Sequence, residues 1–471
     1  FRAWGIQRLV RDASPIPREF GNAGVVAFGT LLGDYRYDWF ARGAVNQYYF
    51  AENERLPQYE LERIMRARAA EFDAITLDFG CTATGVAQDD DGVAVTVRDA
   101  AGAERTLRGA YAAGCDGARS MVRDAAGIEQ DVDPHDRRMC LLVFKSAALN
   151  ALLEPLGGKT IFNVLNPDLE GYWQFLGRVD VDGTFFYHAP VPAETTAENF
   201  DFAAYLHDAI GADFAIDFQH IGFWDLRISV AKDYRKGRVF IAGDAAHSHP
   251  PYGGYGVNNG LEDARNLSWK LAAALTDWAG PALLESYSQE RQPVFQSTSQ
   301  DFIGRMIRDD RDFGARFSPE KDKAAFEAAW AERAGGGNKE VTQYLPNYAG
   351  SPIVWGVPSA QSNARGQHSF RAEAGHHLAP QPLASGAELF DLLGRGFALL
   401  AFDADPTVVA AFEAAAEARG VPFTVIADTS AEARAAYGAR CVLVRPDLFV
   451  AWAGDAPDPD TAAILARAVG G

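Results

Sequence analysis

The sequence predicts a multidomain α/β protein that carries a mostly antiparallel β module, on the strength of length, periodicity and aromatic content. At 471 residues the chain is too long for one ordinary domain. Short apolar runs alternate with helical stripes in its first and last thirds, as α/β layers require. Between about Cys140 and Val230, by contrast, strand-like runs rich in aromatic residues dominate and helical periodicity is sparse.

The elements follow in order. The opening 1–6 reads as the end of a helix closed by Gly5. Strands are expected near 25–28 and 47–50. Leu61, Ile64, Met65 and Ala69 share one helical face, so 61–72 is a helix. Val93, Val95 and Val97 alternate with polar partners after the turn Asp89-Asp90-Asp91-Gly92, which marks a strand, and another runs through 111–113. In the aromatic module, Tyr172-Trp173-Gln174-Phe175 and Thr184-Phe185-Phe186-Tyr187 are strands, with one short helix near 202–210. A short buried strand occupies 238–242. A long helix starts near Asn259, striped by Leu261, Ala264, Leu267, Leu271 and Leu275. A second covers 281–291, with Pro281 suited to its first turn. Gly335-Gly336-Gly337 suggests a linker over 311–350. Beyond it, strands at 397–402, 423–427, 441–445 and 448–452 alternate with helices at 407–419, 432–437 and 460–469, forming a small α/β domain.

Bulk properties narrow the function. The formal net charge of -19 repels phosphate backbones, which argues against nucleic acid as a partner. Cys81, Cys115, Cys140 and Cys441 form no CxxC pair and read as small buried residues in a reducing compartment. No metal site is expected. No apolar run approaches the ~20 residues that span a bilayer, and no signal peptide is visible. A cytoplasmic protein is the expectation.

Three segments could carry chemistry. The longest is Ala242-Gly243-Asp244-Ala245-Ala246-His247, followed after two residues by Pro250-Pro251-Tyr252-Gly253-Gly254-Tyr255-Gly256-Val257-Asn258-Asn259-Gly260. It lies between a buried strand and a long helix. Glycines there let bare backbone approach a ligand, and the helix start turns amides and a positive dipole end toward it. Asp244 suits a hydroxyl or ribose donor. Such a cradle stabilises an anionic ring system; residue types alone also allow a plain strand–turn–helix. The second segment is Cys115-Asp116-Gly117-Ala118-Arg119-Ser120-Met121-Val122-Arg123. Asp116-Gly117 by itself is an ordinary turn, but Arg119 and Arg123 make an anion site plausible. The third, Gln58-Tyr59-Glu60-Leu61-Glu62-Arg63, is by itself a helix start.

Together and in this order, the three resemble the flavoprotein monooxygenases of the para-hydroxybenzoate hydroxylase class. In that class a Gln-x-x-Leu-Glu helix, an Asp-Gly motif and a Gly-Asp-Ala-Ala-His strand–helix recur. The run 263–271 and the run 284–293 resemble the phenol, hydroxyphenylpropionate and polyketide hydroxylases, as does the end Val442-Leu443-Val444-Arg445-Pro446-Asp447 with Val450-Ala451-Trp452. The resemblance implies a Rossmann-like FAD-binding domain over 1–130 and 231–310, with substrate-domain strands inserted near 15–55. It also implies an antiparallel-sheet substrate domain over 131–230 and a thioredoxin-like domain over 351–471. The family opens with a strand, a G-x-G-x-x-G turn and a helix. No segment here matches that turn, so a leading segment is expected to precede Phe1.

The resemblance further implies hydroxylation of a phenolic substrate by O2 and NADH or NADPH, through a flavin C4a-hydroperoxide on FAD. Asp244 is then placed at the ribityl or pyrophosphate region, Gln58 at the flavin or pyrophosphate, and the Pro251 carbonyl near flavin N5. Gly254 belongs to the loop, and Gly256, Val257 and Asn258 offer amides to the pyrimidine edge. Asp116, Gly117 and Arg123 are associated with both FAD and NAD(P)H. His249 and Tyr252 flank the loop and are candidate catalytic groups. Tyr49, Trp173, Tyr187 and His188 are candidates to line the substrate pocket, although each taken singly also fits core packing. A homodimer is common in the family. Ketone oxygenation or epoxidation on the same fold is the alternative activity, and a non-catalytic flavin-binding or interaction module is another. The C-terminal domain lacks the thioredoxin cysteine pair and is expected to be structural.

Overall fold

The computed structural model describes all residues except 22, 40–41, 337–338, 358 and 456–459, and all their side chains except those of 134–136 and 339. Its centre is an eight-stranded sheet. In spatial order the strands are His247–Ser248, Asp217–Ala231, Gln130–Lys145, Thr184–Val191, Trp173–Arg178, Ile161–Leu165, Gly24–Phe28 and Arg36–Trp39. All neighbours are antiparallel except Gly24–Phe28 against Ile161–Leu165.

Both faces of this sheet are buried, which explains its apolar runs. On one face Cys140, Leu142, Phe144, Phe162, Leu176, Phe185 and Tyr187 pack under the helix Phe202–Ile210. On the other, Met139, Trp173, Phe175 and Leu226 join Tyr252 and the helices Arg305–Arg316 and Lys323–Gly335. Strand alternation decides which face each side chain takes.

A small sheet sets Val239–Ile241 parallel to Ala112–Gly114 and antiparallel to Arg235–Lys236. It feeds the 21-residue helix Tyr255–Leu275. Near the C-terminus, Phe397–Phe402 lies parallel to Phe423–Asp428 and antiparallel to Cys441–Val444, which pairs with Val450–Gly454. An ion cluster with fully buried side chains fastens this domain to the rest. Arg445 donates to both Glu290 oxygens at 2.5 and 2.9 Å and to Asp447 at 2.5 and 3.0 Å. Lys270 reaches Glu290 at 2.6 Å. The two cations outweigh burial and hold the Glu290 carboxyl well below the usual carboxylate range.

Several expectations need correction. Residues 47–50 are not a strand; a 3-10 segment, Arg42–Tyr48, runs there. The aromatic run that imitates a strand packs on the C-terminal domain, with Phe50 stacked 5.3 Å from Phe390. The expected linker instead contains the helix Lys323–Gly335, anchored by buried Phe326 and Trp330 one turn apart. Gly335 and Gly336 end that helix, and Gly337 lies outside the described residues. The helix expected from Pro281 begins at Ser286, because Gly280 and Ala282 donate instead to Val469 and Gly470 at 2.7 and 2.9 Å. Of the cysteines, Cys140 and Cys441 are buried, but Cys115 is exposed and Cys81 half-buried. No helix among the described residues is long and apolar enough to cross a membrane.

Candidate active site

The loop that follows Val239–Ile241 is held from beneath. Gly243 has φ +58 and its Cα lies against Gly260; a Cβ on Gly260 would stand 3.4 Å away from it. Only glycine allows that left-handed, close approach at little cost. The Gly243 amide donates to Asp263 Oδ2 at 2.9 Å, and His247 Nε2 donates to the same oxygen at 2.7 Å. Arg291 Nε donates to Asp263 Oδ1 at 2.7 Å, and its Nη2 to both oxygens of Asn259 at 3.1 Å. Burial alone would raise the Asp263 carboxyl, but His247 and Arg291 outweigh it and hold it below its ordinary value. His247 also stacks on Phe295 with ring centres 3.9 Å apart.

From His247–Ser248, paired with Val230 and Ser229, the chain crosses the inner sheet face. Tyr252 lies 4.7 Å from the Trp173 ring, and its phenol oxygen accepts the Trp173 amide at 3.2 Å. Through this bond Tyr252, expected as a catalytic group, ties the loop to the Trp173 strand, and burial pushes its phenol up. Tyr252→Phe removes the acceptor of a buried amide and is expected to cost about 1–3 kcal/mol. Urea denaturation reads this; an unchanged midpoint would show that water replaces the phenol.

His249 is differently placed. Its Nδ1 contacts the Pro250 carbonyl, which can only accept, so Nδ1 carries the hydrogen. Nε2 is buried without a protein partner and lies beside Gly256, whose Cβ would stand 3.5 Å from it. Burial pushes the imidazole down to about 4, so it is neutral at physiological pH. Its free lone pair faces the start of the long helix.

That helix start is bare. Gly253 and Gly254 both have φ +69, and no side chain caps the helix. Asp244, Gly254, Val257 and Asn258 are exposed, Val257 to 58%; Pro251 and Gly256 are half-buried. Arg42 steadies the turn through the Gly253 carbonyl at 2.6 Å. Gly253, Gly254 and Asn258 line a cavity of about 300 Å³ with Tyr49 and His368. Val257 and Asn258 also border a larger one of about 690 Å³, shared with Leu61.

The other expected site residues divide. Tyr49 reaches the smaller cavity and its hydroxyl meets His368 Nε2 at 3.0 Å. Trp173 and His188 share the inner face, whereas Tyr187 packs on the opposite face under Phe202–Ile210 and is core. Gln58 begins the helix Gln58–Ala69 and donates to Glu62 at 2.8 Å; its neighbour on that helix, Leu61, is the one at the larger cavity. Asp116 accepts Ser120 Oγ at 2.5 Å and the Val122 amide at 3.0 Å, so it organises the helix Met121–Ala125. Gly117 supplies the turn with φ +81. Arg123 turns inward and donates to the carbonyls of Ala118 and Ala245 at 3.2 and 3.1 Å, tying this motif to the Gly243 loop. Asp263 and Arg291 were not singled out from sequence, although charged residues inside helical runs were a usable signal.

The fold and loop define a flavoprotein hydroxylase, and comparison with known proteins agrees. Residues 40–301 match the FAD binding domain family and residues 372–471 the aromatic-ring hydroxylase C-terminal family. The chain belongs to the FAD-dependent aromatic-ring monooxygenases. It is 32% identical to 4-methyl-5-nitrocatechol 5-monooxygenase of a Burkholderia species, over 98% of this chain and 86% of that one. A putative polyketide hydroxylase of Streptomyces halstedii is 29% identical over 98% and 85%. Among solved structures, the flavin-dependent monooxygenase PieE in complex with FAD and substrate superposes with TM-score 0.85 at 25% identity, covering 100% of this chain and 90% of that one. The rebeccamycin biosynthetic enzyme RebC with reduced flavin superposes with TM-score 0.81 at 28% identity, covering 100% and 89%. The residues present fit FAD: an uncapped helix start with exposed Val257 and Asn258, preceded by Gly253 and Gly254 at φ +69, leaves backbone amides open to the polar edge of a flavin.

Proposed function

We propose that this aromatic monooxygenase hydroxylates a phenol with NADH or NADPH as reductant. The observation that carries the reading is the bare helix start at Gly254–Asn258 beside the neutral His249, above an aromatic sheet face. When bound, FAD supplies the hydride acceptance and the dioxygen activation that the side chains lack. The amides of Gly256, Val257 and Asn258 would hold the flavin's electron-rich edge, and Asp244 its ribityl hydroxyls. The Pro251 carbonyl would face the reactive part of the bound flavin ring. His249 Nε2 accepts a hydrogen bond from the phenol hydroxyl, which enriches the ring in electrons. Tyr252 and Trp173 fix the loop and exclude water. The C-terminal domain is thioredoxin-like in its strand–helix order and structural in role; the lone buried Cys441 supports this.

The purified protein is expected to be yellow, to oxidise NADH or NADPH faster when phenols are added, and to release hydroxylated product in step with the reductant consumed. Conversion of ketones or alkenes in place of phenols would transfer the enzyme to the alternative chemistry. The histidines add a stability test. His188 and His249 are each pushed down by burial from 6.5 to about 4. Between those values the unfolded chain binds more protons than the folded one, so stability falls as pH drops from about 6.5 to 4. Thermal melts of the double variant His188→Gln/His249→Gln are expected to show a flatter profile; an unaltered slope would assign the titration to other groups.

A further inference from the structure

The inner face of the large sheet carries buried polar groups that no atom among the described residues satisfies. Asn163 is fully buried, and neither its amide oxygen nor its nitrogen has a partner. Two strands away in the same row, through Phe175, stands His188, whose Nδ1 is also buried and unpartnered. Trp224 lies 5.9 Å from the His188 ring, and its indole nitrogen lacks a partner too. Buried polar atoms left unsatisfied each cost about 1–3 kcal/mol, so a cluster of them on one face calls for a ligand or water to complete it. The face is reachable, because Leu141, Val143, Phe186, His188 and Trp224 are only half-buried. It also adjoins Trp173 and Tyr252 of the loop, in the same core.

We propose that His188 and Trp224, with Asn163 two strands away along the same row, form a specificity subsite that recognises neutral hydrogen-bonding substituents, such as keto, amide or nitro groups, spaced along the substrate ring system. This rests on the hydroxylase reading above and adds the substrate class to it. The donors are the Trp224 N–H and the Asn163 amide nitrogen; the Asn163 oxygen and a bare His188 nitrogen accept. Phe175 and Phe186, whose rings lie 6.4 and 5.7 Å from that of His188, provide the apolar walls for an aromatic plane. Leu141, Phe175, Phe186 and Trp224 surround His188 without a charge. His188 is itself neutral, since burial holds it near 4. Arg137, farther along the face, is already paired with Glu170. Among the described residues, a carboxylate in the subsite would meet no free cation there, and its desolvation would go uncompensated.

The test is calorimetric binding of 4-hydroxyacetophenone, 4-ethylphenol and 4-hydroxybenzoate to the FAD-loaded enzyme, with ring oxygenation measured on the same samples. 4-Hydroxyacetophenone is expected to bind about tenfold more tightly than 4-ethylphenol, and 4-hydroxybenzoate more weakly than both. Trp224→Phe, His188→Phe and Asn163→Leu are expected to shrink the first ratio toward one; a melt confirms that each variant folds. Equal binding of benzoate and acetophenone, equal weakening of all three ligands by the variants, or no binding of any phenol overturns the subsite. Preserved selectivity without oxygenation supports the subsite and defeats the hydroxylase reading instead.

Discussion

Replacement of Arg445 by Met is expected to remove about 3–5 kcal/mol of stability, the cost of leaving buried charges without a partner. Arg445 bridges Glu290 and Asp447 with four hydrogen bonds, and all three side chains are buried. Without it, two carboxylates face Lys270 alone. The hydrophobic length of Met does not help them, because the burden lies in the unpaired anions and not in lost volume. Asp447 also accepts the Trp269 indole at 3.0 Å, and Ser351 donates to Glu290 at 2.6 Å, so the damage spreads to both sides of the domain contact. Chemical denaturation reads the loss. A change below about 1 kcal/mol would mean that water enters and solvates the carboxylates. Replacing Glu290, Lys270, Arg445 and Asp447 together by apolar residues of similar volume is expected to be far milder than Arg445→Met alone.

The second large effect is expected at Asp263. Asp263→Asn keeps the shape but turns one acceptor into a donor. Both carboxylate oxygens receive donors, from Gly243 and His247 on one and Arg291 on the other, so an amide nitrogen must face an N–H in either orientation. Arg291 also loses its counter-charge while fully buried. A loss of about 3–5 kcal/mol is expected, and the loop from Gly243 to Tyr252 loosens. On the proposed reading, in which the helix start would hold the flavin, FAD is expected to dissociate at least tenfold more readily, a step of about 1.4 kcal/mol. Flavin fluorescence after dilution reads the affinity and urea denaturation the stability. Unimpaired FAD retention in a destabilised protein would separate the hub from the cofactor site. Asp263→Glu tests the geometry, since the charge remains while the extra methylene displaces it.

Much of this was legible in the chain. The stripe Leu261, Ala264, Leu267, Leu271 and Leu275 announced a helix, but of these only Leu267 is buried; the buried face carries Asn259, Asp263, Asn266, Trp269, Lys270 and Ala273, and the true start at Tyr255 was hidden by glycines whose φ +69 turn precedes it. The alternation at Val93, Val95 and Val97 marked its strand, because one face must be apolar to be buried, at a period of two. The run at 47–50 misled, since aromatic residues suit a strand and an interdomain contact equally. The expected linker misled because three glycines weigh more in a local reading than Phe326 and Trp330, whose spacing becomes meaningful only against Phe313 and Phe28.

The loop Gly243–Pro251 was the clearest local sign of function. Its glycines, its proline pair and its place before a helix are properties of neighbouring residues, so the sequence by itself determined that a backbone cradle sits there. It likewise determined the family, the FAD dependence and the alternation of the sheet. Which polar groups complete the site was decided by tertiary structure alone. Asp263 and Arg291 meet across 28 residues and Arg445 and Glu290 across 155, while Asn163, Phe175 and His188 align only when their strands pair. A charge far apart in the chain gains meaning from what it is desolvated against. The same folding turned Arg123 inward, engaged Tyr252 with a backbone amide and left the His249 nitrogen free.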